Sequence, residues 1–498
     1  MRKPAYTTIL LGSIVLFICS AAAVERHVPS MYPTIQAAID AAMEGDVIVV
    51  APGTYTGTGN RDIEFLDKAI TIRSENGPTD CIIDCNGSLG DEHFGFKLYS
   101  NSGACTLDGF TITGAVATDF YGIGAVMCMR NTVIRNCIFR QNYSQELGAG
   151  VSAAGNCSGA TPEVINCTFV NNVSENSGGA VSIFGGFDDK IIVRNCIFSD
   201  NTTPDLEVEY RTKCGAPRIY AEYSIFKSGW QNQSGITIEN CLEADPCFAN
   251  AGSDDYHLKS QAGRWDPNSE SWVTDSVTSS CIDAGNPGCP LGDEPSDANN
   301  VRINMGAYGG TVEASKTPAG WGILADLTND RKVDFNDLGA FVSYWLEGGE
   351  CIPSDLDRDE SVDFDDYAIF ARQWPGADIP PAEPGVEFQI TPCQMYLSET
   401  EQLDETRFTV TVEGRRIHFE DMMVANCCTP IQNLWIEMTV NGFLITIYEN
   451  EELPQNPCLC ICDYPVTATL GPFEAGTYIL EVYEDFGGFI GSTTVIIE

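Results

Sequence analysis

Ile134-Arg135-Asn136-Cys137-Ile138-Phe139, Val164-Ile165-Asn166-Cys167-Thr168-Phe169 and Val193-Arg194-Asn195-Cys196-Ile197-Phe198 are three copies of one phrase. Leu107-Asp108-Gly109-Phe110-Thr111-Ile112 precedes them and Ala221-Glu222-Tyr223-Ser224-Ile225-Phe226 follows. From Phe110 through Cys137, Cys167 and Cys196 to Ser224 the spacings are 27, 30, 29 and 28 residues. A period this constant marks a solenoid, in which each repeat buries its apolar side only by stacking on its neighbours. Three copies run on into Phe139-x-x-Asn142, Phe169-x-x-Asn172 and Phe198-x-x-Asn201. Two continue into Gly148-Ala149-Gly150-Val151 and Gly178-Gly179-Ala180-Val181. Stacked coils lie about 4.8 Å apart, so equivalent residues form ladders along the axis. Cys137, Cys167 and Cys196 are then expected to stack as small apolar core residues, and Asn136, Asn166 and Asn195 to form an amide ladder at a turn.

Upstream, Tyr32 to Ala42 reads as a short helix with Pro33 in its first turn, stopped by Gly45. A buried strand at Val47–Val50 and a turn at Pro52-Gly53-Thr54-Tyr55 follow. This run resembles the N-terminal cap and first coil of pectin-lyase-like right-handed parallel β-helices, and the repeats resemble those of polymorphic outer-membrane proteins. Cys281-Ile282-Asp283-Ala284-Gly285 and Arg302-Ile303-Asn304-Met305-Gly306-Ala307-Tyr308-Gly309-Gly310-Thr311 resemble the ending of secreted bacterial β-helix proteins of no assigned activity. The resemblances imply a β-helix over residues 24–314 and raise polysaccharide lyase or glycoside hydrolase chemistry. Outward-facing candidates for such chemistry are Asp188, Asp189 and Lys190, the arginines Arg135, Arg140 and Arg194, and Asp254-Asp255 near His257. None sits in a recognisable catalytic motif, and such residues on a solenoid more often form a solvated face. The four histidines, His27, His93, His257 and His418, are too scattered to suggest a multi-histidine zinc site.

Between residues 322 and 376 the pattern changes. Twelve-residue calcium loops offer oxygen at positions 1, 3, 5, 7, 9 and 12, the seventh through a backbone carbonyl. A first loop supplies Asp326, Thr328, Asp330, Lys332 by its carbonyl, Asp334 and Asp337. A second, 29 residues on, supplies Asp355, Asp357, Asp359, Ser361 by its carbonyl, Asp363 and Asp366. Each runs into an amphipathic helix, with Phe335, Leu338, Val342 and Trp345 expected to share one face of the first and Phe364, Tyr367, Ala371 and Trp374 one face of the second. The duplicated pattern resembles type I dockerins, which implies Ca²⁺ and a cohesin-like partner on a scaffold protein. Arg331 and Glu360 replace the usual position-6 glycine, and Thr328 replaces a stronger ligand, so the first site is expected to be weaker. The partner-selecting positions fall on Phe335-Asn336 and Phe364-Asp365, which are not the family's usual small hydroxyl pairs. The alternative is a calcium-stapled spacer without a partner.

Pro375 to Pro384 is proline-rich, and residues 377–385 read as a linker. Alternating apolar residues then predict hairpins, Phe408–Val412 with Ile417–Phe419 and Ile436–Val440 with Phe443–Ile447. Residues 386–498 resemble small immunoglobulin-like β-sandwich accessory domains. Cys393, Cys427, Cys428, Cys458, Cys460 and Cys462 gather here, and disulfides are favoured over a thiolate metal site because no Cys-x-x-Cys is present. The fold class is thus mainly β, a solenoid followed by a small helical calcium module and a sandwich.

Arg2 and Lys3 before an apolar run from Ile9 to Cys19 and Ser20-Ala21-Ala22-Ala23 read as a signal peptide over residues 1–23, implying a secreted or cell-surface protein. No later apolar run is long enough to span a bilayer. Seventy acidic against 27 basic residues give a net charge of −43, which excludes nucleic acid as a partner and disfavours polyanionic glycans unless cations bridge the two. The expected function is a secreted modular protein whose coil binds or degrades polysaccharide while the calcium module docks it. The alternative is a non-catalytic structural or adhesive surface protein.

Overall fold

The computed structural model describes residues 23–374 apart from 102, 119–123, 131, 155–160, 177, 185–188, 203, 210–216, 231–232 and 297–298. Beyond residue 384 it describes 385–497 apart from 391–407, 414–415, 427–433, 442–443, 452–460, 472, 474–475 and 485–487. The signal-peptide reading, Asp188, the 375–384 linker and the side chains of the six C-terminal cysteines lie outside the described residues.

The chain divides into two compact units, Met1–Gly376 and Ala377–Glu498. The first is built on a right-handed β-helix whose strands pair in parallel with the next coil. A nine-stranded sheet runs from Glu25–Val28 to Ile236–Glu239, a seven-stranded sheet from Gly53–Tyr55 to Ile225–Phe226, and a six-stranded sheet from Ile63–Glu64 to Leu206–Glu209. The register is the one the repeats demand. Leu107, Ile134, Val164, Val193 and Ala221 are successive partners in the nine-stranded sheet. In the seven-stranded sheet Phe139, Phe169, Phe198 and Phe226 stack with ring centroids 4.8, 5.1 and 4.7 Å apart. Helix α1, Ile35–Ala41, covers the N-terminal end. Thr34 caps it through Oγ1, which accepts from Ala37 N, so Pro33 lies before the cap and outside the first turn.

Cys137, Cys167 and Cys196 are fully buried thiols stacked inside the coil, and burial raises the Cys167 thiol far above its ordinary range. The interior amide ladder, however, is made by the other asparagines. Asn142 Nδ2 donates to Asn172 Oδ1 at 3.0 Å, and Asn172 Nδ2 to Asn201 Oδ1 at 2.9 Å. Their amides also reach Ile112, Phe139 and Phe169 carbonyls, and Asp205 ends the row by accepting from Asn201. Asn136, Asn166 and Asn195 differ from expectation. They hold the corner between sheets at φ 51°, 48° and 54°, where asparagine tolerates the left-handed region. One amide contact joins them directly, Asn195 to Asn166, and otherwise they bond outward.

What they hold is the segment beyond the coil. Residues 281–317 do not add another coil but run back along the asparagine corners. Asn286 N donates to Asn195 Oδ1, while Asn166 and Asn136 donate to the carbonyls of Asn304 and Gly309 at 2.9 and 2.8 Å. A Cβ on Gly309 would lie 1.9 Å from Asn304 O and 2.3 Å from Asn166 Nδ2, so only glycine allows the approach. Glu294 sits beneath this segment, accepting from Asn304 N and Gly310 N, and burial pushes its carboxyl up to about 7. His257 fastens the far end. It is 1% exposed, with Nδ1 2.7 Å from Asp255, Nε2 3.1 Å from Glu313, and its ring stacked 3.7 Å from that of Tyr308.

The C-terminal unit places two four-stranded sheets around one core. Gly385–Ile390, Ile461–Gly471, Arg416–Asn426 and Thr409–Glu413 form one, and Leu434–Asn441, Leu444–Glu451, Gly476–Glu484 and Gly488–Ile497 the other. Phe419, Leu470, Ile445, Leu480 and Val495 meet between them, which makes a β-sandwich.

Two predictions follow from these contacts. Asn172→Ala strands the Phe139 carbonyl and the Asn142 amide inside the coil, and about 3 kcal/mol of stability should be lost in chemical denaturation. Burial lowers the His257 pKa, but its two carboxylate partners outweigh that and raise it. Its contribution is therefore full below the ordinary histidine pKa of about 6.5 and is lost as pH rises through the raised value. His257→Gln should cost about 3 kcal/mol near pH 6. Melting curves of the two proteins should converge at higher pH, and a gap that widens would contradict the buried imidazolium.

Candidate functional site

The coil residues singled out for chemistry are mostly committed to pairs. Arg135 holds Asp108 at 2.9 Å, Arg194 holds Glu222 at 2.5 Å and Arg140 holds Asp254 at 3.3 Å. Asp254 also accepts from the Tyr256 hydroxyl, so it does not join His257. Asp189 is buried, and Lys190 lies over the Tyr220 ring. With His257 buried as well, these residues form no common cleft. Sequence reasoning missed Glu313 as the second partner of His257, because 56 residues separate them and no repeat links them.

The two calcium-type loops are built alike. Asp326 Oδ1 and Oδ2 accept from Asp330 N and Arg331 N, and Asp355 accepts in the same way from Asp359 N and Glu360 N. At position 12, Asp337 accepts from Thr328 N, Thr328 Oγ1 and Asp334 N, while Asp366 accepts from Leu356 N, Asp357 N and Asp363 N. Asp334 and Asp363 cap helices α2, Phe335–Ser343, and α3, Phe364–Gln373, and the position-12 aspartates complete capping boxes. The turn that glycine usually makes at position 6 survives without it, since Arg331 and Glu360 both sit at φ 71°. Burial raises the Asp326, Asp355 and Asp357 carboxyls. Carboxylate oxygens of Asp355, Asp357 and Asp359 lie within 4.8 Å of one another. Oxygen-only donors, aimed by backbone amides and converging at this range, fit a hard divalent cation.

The helix faces are shifted from expectation. Phe341 and Phe370 are buried and meet at 5.1 Å, whereas Phe335, Phe364, Val342 and Tyr367 are exposed. The inward stripe passes through the position-12 aspartates, which turn into their loops, and four residues on it reaches Phe341 and Phe370. A carboxylate on the buried stripe hid that face from a hydrophobic count. The exposed first-turn phenylalanines are each met by the tryptophan that follows the other loop's helix, Phe335 by Trp374 and Phe364 by Trp345, both at 5.1 Å.

The second loop also walls a groove. Its inner chamber, about 670 Å³, lies between the outer face of the nine-stranded sheet at Arg135, Glu163 and Ile165, the returning segment, and Glu350, Arg358 and Glu360. A second chamber, about 700 Å³, shares Arg135, Asn136 and Gly310 and extends past Asp108 to Arg73 and Glu75. Volumes of this size suit a ligand of several rings. Acidic side chains outnumber the arginines on its walls. No signal in the sequence marked this place, because it exists only where the returning segment leaves the sheet uncovered. Among the described residues no helix is long and apolar enough to cross a membrane.

Comparison with known proteins bears on the coil. A family model described as right handed beta helix region matches residues 53–198, and one described as disaggregatase related matches residues 191–285. No curated protein matches the chain. A PL6 family polysaccharide lyase from Pseudopedobacter saltans is similar at 15% identity over 44% of this chain and 46% of the lyase, with a TM-score of 0.27. The match thus spans less than half the length of that enzyme. A pectin methylesterase from Aspergillus niger is similar at 17% identity over 45% of this chain and 84% of its own, with a TM-score of 0.19. Scores this low carry no argument about chemistry. The first family model and the parallel ladders together make residues 53–198 a right-handed β-helix.

Proposed function

We propose that this is a secreted, modular polysaccharide-binding protein in which a paired-loop module of the dockerin type binds Ca²⁺ and offers a docking face to a cohesin-like partner. The observation that carries the polysaccharide reading is the groove on the outer face of the nine-stranded sheet. It runs along the coil axis past Arg73, Asp108, Arg135 and Glu163, so donors and acceptors recur at the strand spacing. A hydroxyl-rich chain can satisfy both kinds of group along its length. Walls with more carboxylates than arginines repel anionic chains, which favours a neutral glycan. Binding is preferred to cleavage because Arg73 and Arg135 are held in ion pairs with Glu25 and Asp108, Arg358 is held by backbone carbonyls, and among the described residues no carboxylate couple stands apart as acid and base.

The calcium reading rests on the matching loops. Asp326, Thr328, Asp330, the Lys332 carbonyl, Asp334 and Asp337 would hold one cation, and Asp355, Asp357, Asp359, the Ser361 carbonyl, Asp363 and Asp366 the other. Bound Ca²⁺ would neutralise part of an excess of 13 acids over 4 bases between residues 322 and 376. The exposed Phe335 and Phe364 support a docking face, because aromatic anchors are common at interface centres.

Retention in gels containing neutral polysaccharides, with polygalacturonate as the anionic control, tests the groove. The full chain should be retarded by a neutral glycan, and Arg135→Ala should weaken binding about tenfold through the lost charge-assisted bond. Equal mobility on every glycan would remove the polysaccharide reading. Calorimetry should show two Ca²⁺ sites of unequal affinity, with Asp355→Ala removing one, and silence on titration would remove the calcium reading.

A further inference from the structure

Ligand positions in a twelve-residue calcium loop fall on odd numbers up to nine, so the residues between them are free for other contacts. In this chain those residues meet the coil. Position 4 of the first loop is Asn329, whose Nδ2 donates to Ala284 O at 3.0 Å and to Asn240 O at 3.4 Å. Position 6 is Arg331. Its guanidinium donates to Trp321 O at 3.1 Å and Ser280 O at 3.4 Å and lies 4.5 Å from the Trp321 ring centroid. In the second loop, position 4 is Arg358, which donates to Pro287 O at 3.1 Å and Val301 O at 2.6 Å.

The coil side answers in kind. Tyr223 Oη donates to the position-2 carbonyl of Leu327 at 2.8 Å, and the fully buried Arg302 donates to the position-1 carbonyl of Asp326 at 2.7 Å while its other nitrogens hold Gly285 O. A disulfide between Cys289 and Cys351 and a bond from Asn286 Nδ2 to Cys351 O tie the entry of the second loop to the returning segment. A Cβ on Gly288 would fall 1.7 Å from Ile352 O, so the two backbones are in direct contact.

We propose that the two loops form a calcium-set latch on the coil, in which positions 1, 3, 5, 7, 9 and 12 take the cation while positions 4 and 6 of the first loop and position 4 of the second grip residues 280–302. The inference rests on the calcium reading above and adds that cation binding and coil docking are one coupled equilibrium. Each loop has a single backbone path through left-handed residues at positions 4 and 6, with φ 62° and 71° in the first and 63° and 71° in the second. Ordering that path for coordination orders the gripping side chains with it. Linkage then requires that Ca²⁺ strengthen the grip by the same factor by which the grip strengthens Ca²⁺ binding, so loss of gripping side chains weakens Ca²⁺ binding. The missing position-6 glycine of the first loop is explained too, since glycine could not reach the carbonyls that Arg331 holds.

The full chain, with its disulfide intact, is tested by hydrogen exchange with and without chelator and by calorimetric titration of Ca²⁺. Asn329→Gly and Arg358→Asn remove gripping side chains, keep residues that accept the left-handed backbone, and touch no ligand. Chelation should raise exchange in 280–302 together with 326–337 and 355–366, and each variant should bind Ca²⁺ about tenfold more weakly. Exchange that changes in the loops alone, or variants with unchanged affinity, would overturn the latch and leave calcium binding standing. No calcium response anywhere would remove both. A variant that fails to fold leaves the exchange comparison on the unsubstituted chain to decide.

Discussion

The rest of the structure depends on stacking like on like. Parallel coils at strand spacing place each residue directly over its equivalent, so every side chain inside the coil must tolerate a copy of itself on both sides. Phenylalanine does so by parallel ring stacking and cysteine by its small size. Asparagine does so because one amide both donates and accepts, letting Asn142, Asn172 and Asn201 join into a continuous row that also satisfies corner carbonyls. A carboxylate repeated in that row would face only acceptors. Asp205 appears at its end, where the row needs an acceptor and nothing more.

That rule also explains why the chain turns back after Ile236–Glu239. The corner asparagines have spent their backbone on a left-handed turn, and Asn136 and Asn166 place their amide donors away from the coil. Residues 281–317 supply carbonyls to Asn136 and Asn166 and a backbone N–H to Asn195 Oδ1, and the segment becomes a strap across successive coils. The strap in turn creates the groove and carries the arginine and carbonyl groups on which the loops of the calcium-type module close. One local fact, the outward amides of Asn136, Asn166 and Asn195, therefore positions both candidate sites.

Much of this was legible in the sequence. The period of the Asn-Cys phrases and the Val47–Val50 strand gave the coil its register, because stacking writes itself as repetition. The spacing of aspartates in the two loops was equally plain. What stayed hidden lacks a period. The strap motifs around Cys281 and Arg302 read as a coil ending, although they are a return, since nothing local distinguishes a strand that adds from one that folds back. The burial of Phe341 and Phe370 was obscured by the inward aspartates one turn before them. Both asparagine sets repeat, so repetition alone could not say which one faced inward.

The placement of the module separates two demands that would otherwise compete. If the loops met solvent on every side, a partner and the coil would contend for the same residues. Here the residues at positions 4 and 6 of the first loop and position 4 of the second face the strap, and the first-turn residues Phe335 and Phe364 stay exposed on the helices, each backed by the tryptophan that follows the other helix. A partner docking on that face would press on aromatic pairs that bridge the two loop–helix units. Its binding energy would favour the same arrangement of the units that coordination requires. On the proposed reading, docking, coordination and attachment to the coil would strengthen one another without sharing a contact, and the acidic positions would remain reserved for the cation.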